Sequence, residues 1–219
     1  MSLKSLEIKL GYTFKSINLL ELALIHKSSN NTENNERLEF LGDAVLNSII
    51  SQHLFSRFPK EKEGLLTRMR SHLVKGETLT KKANELGIIS YIKLSKGTAN
   101  LSENRKQSIL EGTIESIIGA VFLDSGWQKV DQFILNLFNY ELSEIESDQE
   151  FRDSKTELQE LLQSKKLKPP KYVSTESKVG FNCDIELDGR KFSASGNSKR
   201  QAEILVATEV LNHIKYSDG

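Results

Sequence analysis

The run NERLEFLGDAVL at residues 35–46 is the most informative part of this 219-residue chain. Its carboxylates follow one another at spacings of three and four residues, at Glu36, Glu39 and Asp43. At about 100° per residue, this spacing places them along one stripe of a helix. The apolar residues on the opposite side of that helix are Leu38, Leu41, Val45 and Ile49. The run therefore predicts a helix that packs on a core and exposes a row of acids.

The row of acids has two interpretations. Carboxylates packed this closely repel one another and raise each other's pKa unless a cation lies between them, and Mg²⁺ prefers such oxygen ligands. Alternatively, the row is a solvated polar face, which is the ordinary outer surface of a helix. Phe40 favours a functional surface, because it lies along the acidic stripe, where an exposed aromatic side chain suggests a partner.

A second acidic helix is predicted over residues 105–124. Its apolar stripe consists of Leu110, Ile114, Ile117, Ile118 and Val121. Glu111 and Glu115 lie at one edge of that stripe, and a pair of glutamates four residues apart is mildly destabilising on its own. Gly112 lies inside the helix, where glycine costs about 1 kcal/mol relative to alanine.

The composition is that of a globular protein without a membrane span. Hydrophobic residues make up 37% of the chain and charged residues 27%, and no stretch approaches the ~18 apolar residues of a transmembrane helix. The N-terminus lacks an apolar segment long enough for a secretory signal. Cys183 is the only cysteine, which excludes an intrachain disulfide and favours a reducing, cytoplasmic location. The net charge is zero, so binding of a nucleic acid would depend on local clusters of basic residues.

Hydrophobic periodicity divides the chain into two predicted domains. Residues 1–147 form an all-α domain, with helices predicted over 16–27, 35–57, 63–72, 76–86, 105–124 and 127–146. Residues 143–150 are acidic and polar and suit a linker, which we place at residues 148–152. Residues 153–217 form a small α+β domain in the order α-β-β-β-α. In that domain Phe181–Leu187 alternates as a half-buried strand, and Asp188-Gly189 predicts a hairpin turn.

The run at residues 35–46 resembles the most diagnostic motif of the bacterial ribonuclease III family, the double-stranded-RNA endonucleases. The resemblance covers nearly the whole chain and implies an all-α nuclease domain that works as a homodimer, with Phe40 entering a socket on the partner subunit. It also implies Mg²⁺, or Mn²⁺ as a substitute, bound by carboxylates. The metal ligands carried over are Glu39, Asp43 and Glu115, of which Asp43 and Glu115 are catalytic. Glu36 and Glu63 take supporting positions, and Glu36 orients the helices or pairs with an arginine.

One position departs from the family. The resemblance places a metal-binding aspartate at Gly112, which offers no side-chain oxygen. We expect the ion to be held less tightly or in a more hydrated form. Glu111 is a candidate for compensation, either directly or through water. The alternative to a nuclease is therefore a catalytically impaired protein on the same fold that only binds double-stranded RNA.

Residues 153–217 resemble a double-stranded-RNA-binding domain, which reads the A-form shape with little dependence on sequence. The positions carried over for the minor groove are Thr156, Gln159 and Glu160, and those for phosphate are Ser198, Lys199 and Arg200. The link between the first two strands is shorter than is usual in the family, and it lacks the histidine that the family carries there. Both differences imply weaker binding of RNA.

The whole resemblance implies cleavage of double-stranded RNA to 5′-phosphate and 3′-hydroxyl ends, in the processing of ribosomal and messenger RNA. A helical scaffold with surface acids and no affinity for RNA is a third interpretation. The three interpretations differ in whether the chain binds duplex RNA and whether it cleaves it.

Overall fold

The chain folds into two compact units, Met1–Ser147 and Asp148–Gly219. The structure is a computed structural model that describes residues 2–29, 32–95, 102–145, 154–177 and 179–217. The predicted linker at 148–152 lies outside the described residues. Each unit has its own hydrophobic core, and each is described by itself.

The described part of the first unit is built from α-helices and one short 3-10 helix, Ile88–Ser90. The α-helices are α1 (Leu3–Leu10), α2 (Ile17–Ala23), α3 (Glu36–Arg57), α4 (Glu63–Leu73), α5 (Gly76–Leu86), α6 (Glu103–Ser125), α7 (Trp127–Leu137) and α8 (Asn139–Glu144). The predicted all-α character of this region is confirmed, and the long acidic helices α3 and α6 pack against each other at its centre.

Two predicted features of the first unit were wrong. Helix α1 was not predicted, although Ser2 caps its N-terminus and Gly11 ends it in the left-handed conformation with φ of 64°. The single helix predicted over 127–146 is interrupted at Phe138, which has φ of −101° and a fully buried side chain. The sequence there contains neither glycine nor proline, so it gave no signal of this break.

The core of the first unit is formed by the apolar stripes of α3 and α6. The most deeply buried members of these stripes are Leu46, Ile49, Ile50, Ile117, Ile118 and Val121. Leu38, Val45 and Ile49 are buried as predicted, whereas Leu41 is only partly buried. Burial of this stripe turns the polar side of α3 outward, including Phe40, whose exposed fraction is 81%.

The second unit has the order α-β-β-β-α, as predicted. Its elements are α9 (Ser154–Ser164), β1 (Val173–Ser177), β2 (Gly180–Leu187), β3 (Arg190–Gly196) and α10 (Lys199–Ser217). The strands form an antiparallel sheet in the order β1-β2-β3. Asp188 and Gly189 both have positive φ, 51° and 76°, which is the geometry of a two-residue hairpin.

One core holds the second unit together. Leu158 and Leu162 of α9 pack with Cys183 and Ile185 of β2 and with the apolar side of α10. Ser177 pairs with Gly180 across the first hairpin, so only two residues connect β1 and β2. The link between β1 and β2 is therefore as short as the sequence predicts.

None of the helices in the described ranges combines the length and the apolar run that crossing a bilayer requires.

Candidate metal centre

Helices α3 and α6 approach each other closely at two glycines. A Cβ atom placed on Gly42 would lie 1.7 Å from the carbonyl oxygen of Glu115. A Cβ atom placed on Gly119 would lie 2.3 Å from the carbonyl oxygen of Leu38. No side chain fits at either position, because each gap is closed by backbone of the opposite helix. The main chains therefore touch, and the acids on either side of the contact come together.

Four carboxylates are grouped around this contact. Glu39 and Asp43 come from α3, and Glu111 and Glu115 come from α6. The pKa of Glu115 is raised to about 8, chiefly by burial and then by the negative charges of Asp43, Glu111 and Glu39, in that order. Burial also raises the pKa of Glu111, with a further contribution from Asp43. Such shifts are typical of acids that lack a compensating cation.

The pKa of Glu39 is raised as well, and again burial is the largest cause. Lys27 opposes this shift, whereas Glu36, Glu111 and Asp43 add to it. Within the described ranges, the carboxylates of Glu39, Glu111 and Glu115 have no hydrogen bond or ion pair. Asp43 differs, because its side chain accepts a hydrogen bond of 2.7 Å from Asn47. The centre thus holds three acids without partners.

Two further glycines accommodate the ends of two of these acids. A Cβ atom on Gly112 would lie 2.6 Å from Oε2 of Glu39 and 2.8 Å from its Cδ. A Cβ atom on Gly76, the first residue of α5, would lie 2.6 Å from Oε2 of Glu111. The carboxylate of Glu39 therefore lies directly on the backbone of α6, and that of Glu111 lies on the start of α5.

The donor chemistry of this group suits a hard divalent cation. Such ions bind carboxylate oxygens together with water and phosphate, and Glu39, Asp43, Glu111 and Glu115 supply such oxygens from two helices. As the side chains stand, however, no three His, Cys, Asp or Glu groups of the described residues are arranged to hold a metal ion.

The predicted supporting residues lie at the edges of the group or away from it. Glu36 forms an ion pair of 3.0 Å with Lys27, rather than with an arginine. Glu63, at the start of α4, accepts a hydrogen bond of 2.8 Å from Thr67. It lines a groove between α3 and α4, and it does not contribute to the raised pKa values of Glu39, Glu111 or Glu115.

The second unit presents the predicted RNA-binding residues at its surface. Thr156, Gln159 and Glu160 are exposed on α9. Ser198, Lys199 and Arg200 are exposed at the start of α10. There the hydroxyl of Ser198 accepts a hydrogen bond of 3.2 Å from the N–H of Gln201 and so caps the helix. The cap places two cations beside a helix N-terminus, where anions are favoured.

Two family models match the chain. Residues 16–141 match the model described as Ribonuclease-III-like, and residues 154–214 match the double-stranded RNA binding motif. The chain belongs to the ribonuclease III family. The fold expected from the resemblance is thereby confirmed for both regions of this ribonuclease III.

The sequences of similar proteins match this chain over nearly its full length. Ribonuclease 3 of Idiomarina loihiensis is 39% identical over 98% of this chain and 96% of its own. Ribonuclease 3 of Hahella chejuensis is 42% identical over 95% of each chain. A solved nuclease domain of ribonuclease III from Campylobacter jejuni, described for structural flexibility in a region involved in dimer formation, has a TM-score of 0.61 at 41% identity. It covers 63% of this chain and 96% of its own. Nothing in these comparisons favours the catalytically impaired alternative.

Sequence reasoning missed the glycines that shape the centre of this ribonuclease III. Gly42 and Gly119 were not connected with the acids, and Gly112 was considered only as a missing ligand. The available signal was glycine inside an apolar helical pattern, which indicates a close approach of another segment. Lys27, the partner of Glu36, was also missed, because it lies nine residues away outside the helix.

Proposed function

We propose that this ribonuclease III, an endoribonuclease of double-stranded RNA, works through a Mg²⁺ ion held by Glu39, Asp43 and Glu115, with Mn²⁺ as a substitute. Glu111 is proposed as a further ligand, direct or through water. One observation carries the proposal: the backbone contact of α3 and α6 brings acids of both helices together, where burial and then the charges of Asp43, Glu111 and Glu39 raise the pKa of Glu115 to about 8.

In this proposal, the protein positions the carboxylate oxygens and keeps the carboxylates deprotonated. When bound, Mg²⁺ would activate water for attack on phosphorus and stabilise the charge that develops on the leaving 3′-oxygen. Asp43 of α3 and Glu115 of α6 would each contribute a carboxylate to the ion, and the charge of Asp43 acts on Glu115 across the two helices. Asn47 holds Asp43 in one orientation, and Lys27 keeps Glu36 paired outside the centre. The products are expected to carry 5′-phosphate and 3′-hydroxyl ends.

Cleavage of a long duplex tests this proposal. We expect the full chain to cut double-stranded RNA in Mg²⁺ or Mn²⁺, to leave a single strand of the same sequence intact, and to lose activity in EDTA. End analysis should show 5′-phosphates. If the chain binds the duplex without cutting it, and cutting appears in Gly112→Asp, the impaired alternative is correct.

We also propose that the protein acts as a homodimer through α3. Phe40 is 81% exposed and Phe55 is 72% exposed, at opposite ends of one side of this helix. Near Phe55, a groove of about 640 Å³ lies between α3 and α4 and is also lined by Leu54 and Leu66. If two α3 helices pair in antiparallel fashion, Phe40 of each copy reaches the groove of the other. The groove is thus our candidate for the socket.

Substituting Phe40 tests the dimer. We expect Phe40→Ala to weaken self-association by at least about 100-fold, because each copy loses a buried ring worth about 1.5–3 kcal/mol. Sedimentation velocity across a concentration series measures the effect. Ile8→Ala is the matched control, since Ile8 is also an exposed apolar residue of the first unit, with 76% exposure. An unchanged dimer in Phe40→Ala would contradict the proposed interface.

The cations at the start of α10 are proposed to contact RNA phosphates. We expect Lys199→Ala/Arg200→Ala to weaken duplex binding about equally for all sequences. The slope of log affinity against log salt should fall by about 2, which is about one unit per lost phosphate contact. Fluorescence anisotropy at several salt concentrations measures both quantities. Lys168→Ala/Lys171→Ala removes the same charge elsewhere and should leave the slope unchanged. Equal slopes in both double variants would rule out the proposed contact.

We further propose a cytoplasmic location and a role in processing ribosomal and messenger RNA. The single cysteine, buried and unpaired at Cys183, supports a reducing compartment. The double-stranded RNA binding motif supports duplex regions as the substrate.

A further inference from the structure

A pocket lies at one end of the second unit, where the ends of α9 and α10 meet the hairpin between β2 and β3. Its volume is about 310 Å³. Leu162, Leu187 and Ile214 contribute apolar surface to its lining, and Lys165 and Arg190 are exposed cations that also line it. Ligand pockets begin at about 300 Å³. The pocket therefore suits one small group that combines an apolar part with a negative charge.

The C-terminal turn of α9 builds one wall of this pocket. The N–H of Lys166 donates to the carbonyl of Gln163 at 2.9 Å, and that of Leu167 donates to the carbonyl of Leu162 at 2.8 Å. Lys166 has φ of 57°, so lysine occupies the left-handed position of a Schellman turn, where glycine is usual. The turn brings Leu167 into the lining together with Lys165. Helix α9 thus ends in two successive cations, although glycine would avoid the backbone strain.

Planar side chains gather in and beside the lining. Nη1 of Arg190 lies 3.3 Å from Nδ1 and 3.4 Å from Nε2 of His213, which also lines the pocket. These distances are nearly equal, so the guanidinium is shared between the two nitrogens and is not aimed at either of them. The Cζ atom of Arg190 lies 5.3 Å from the ring centroid of Phe192, and the ring centroids of Phe192 and His213 are also 5.3 Å apart.

The charges of the lining favour an anion. Arg190 contacts His213 and Phe192, but within the described ranges it forms no ion pair with a carboxylate. Asp188, at the hairpin turn, is the one acid among the residues that line the pocket, against the two cations Lys165 and Arg190. The imidazole of His213 can only add positive charge. A negatively charged group is therefore complementary to this lining.

We propose that this pocket binds one unpaired nucleotide of an RNA strand. Proteins recognise unpaired bases by stacking them on aromatic side chains and on arginine guanidinium planes, and His213 and Arg190 offer both kinds of surface. The phosphate of the nucleotide would lie toward Lys165. A peptide side chain would use the apolar surface but not the planar groups, which favours the nucleotide.

The pocket is separate from the residues proposed to contact the duplex. Along α10, His213 lies roughly 20 Å from Lys199, at about 1.5 Å per residue. A single strand in the pocket therefore leaves the start of α10 open to the duplex. The inference goes beyond the proposed function, because it needs neither a metal ion nor cleavage.

Binding of a fluorescently labelled hexaadenylate to the full chain in EDTA, followed by anisotropy, tests the proposal. We expect Lys165→Ala/Arg190→Ala to weaken this binding at least about 10-fold, the effect of losing one stacked base. Affinity for a long duplex should change less than about 2-fold, because the duplex contacts lie at a distant surface. Lys199→Ala/Arg200→Ala is the matched control, since it also removes one lysine and one arginine from the second unit. It should show the reverse pattern.

Two comparisons separate stacking from charge. Arg190→Lys keeps the positive charge but loses the guanidinium plane, so hexaadenylate binding should weaken about 5-fold or more while its salt dependence stays the same. A hexamer of ribose phosphates without bases should bind the unaltered chain at least about 10-fold more weakly than hexaadenylate.

Three results would overturn the proposal. The first is an equal loss of hexaadenylate binding in the two double variants, and the second is equal binding of the hexamer without bases. The third concerns a short acidic peptide that contains one phenylalanine. If the unaltered chain binds this peptide but not hexaadenylate, and Lys165→Ala/Arg190→Ala abolishes peptide binding, the pocket serves a protein partner. If hexaadenylate binds as expected but the chain cuts no duplex in Mg²⁺, the pocket is supported and only the proposed function fails.

Discussion

Replacing Glu115 by glutamine is expected to reduce cleavage of double-stranded RNA by a factor on the order of 10³. The loss follows if Glu115 is a charged ligand of the proposed metal ion, which is worth several kcal/mol, at about 1.36 kcal/mol per factor of ten. Single-turnover cleavage of a short duplex in Mg²⁺ measures it. Binding of the duplex to the second unit should persist, so anisotropy in EDTA serves as the control. Wild-type rates in Glu115→Gln would exclude Glu115 from the metal centre.

The same substitution has a pH-dependent effect on stability. In the metal-free protein the pKa of Glu115 is raised from 4.5 to about 8, so the folded state holds this proton more tightly than the unfolded state. Stability from this group is therefore complete below pH 4.5 and is lost as the pH rises to about 8. We expect Glu115→Gln to be more stable than wild type above pH 8 by on the order of 2 kcal/mol, discounted because solvent screens a half-buried charge. Urea unfolding in EDTA at pH 5 and pH 8.5 compares the two.

Uptake of the ion should reverse this protonation. Because Mg²⁺ binds the charged carboxylate, binding at pH 7 should release close to one proton, since a group with pKa of about 8 is mostly protonated there. Calorimetry in two buffers of different ionisation enthalpy counts that proton. Absence of proton release would mean that Glu115 is not a ligand.

Replacing Gly42 by alanine is expected to destabilise the first unit by about 3 kcal/mol or more and to abolish cleavage. The added methyl would lie 1.7 Å from the Glu115 carbonyl oxygen, and backbone cannot yield as a side chain does. Helices α3 and α6 would have to separate to remove this clash, and the acids of the two helices would then move apart. Urea unfolding followed by circular dichroism measures the stability.

Gly64→Ala is the comparison for Gly42→Ala. It introduces the same methyl into a helix, at a position where no atom lies closer than 3.6 Å. We expect it to keep its cleavage rate and to unfold at the same or higher urea concentration. Similar behaviour of the two variants would show that the helix contact at Gly42 is looser than the structure indicates.

Much of the fold could be predicted because periodic apolar residues mark the long helices and strands. Helix α3 was predicted over 35–57 and spans Glu36–Arg57. The failures lie where local signals are weak or overruled. The eight-residue α1 is too short for a clear period, and the break at the buried Phe138 has no glycine or proline to mark it.

The candidate site could be predicted as a set of residues but not as an arrangement. The spacing of Glu39 and Asp43 fixes their common stripe, and this much follows from helical geometry. Which oxygens face each other depends on the separation of α3 and α6, which is a tertiary property. That Gly112 accommodates Glu39 and Gly76 accommodates Glu111 could not be predicted, because each pair joins different helices.

The contact at Gly42 and Gly119 has a consequence for how this protein tolerates change. Since main chain rests on main chain there, the distance between the two acidic helices does not depend on how well the neighbouring apolar side chains fill their space. Substitutions at a residue such as Ile118 would lower the melting temperature while leaving the catalytic spacing in place. The spacing of the acids should therefore tolerate substitutions among the apolar core residues, but not the addition of a side chain at Gly42 or Gly119.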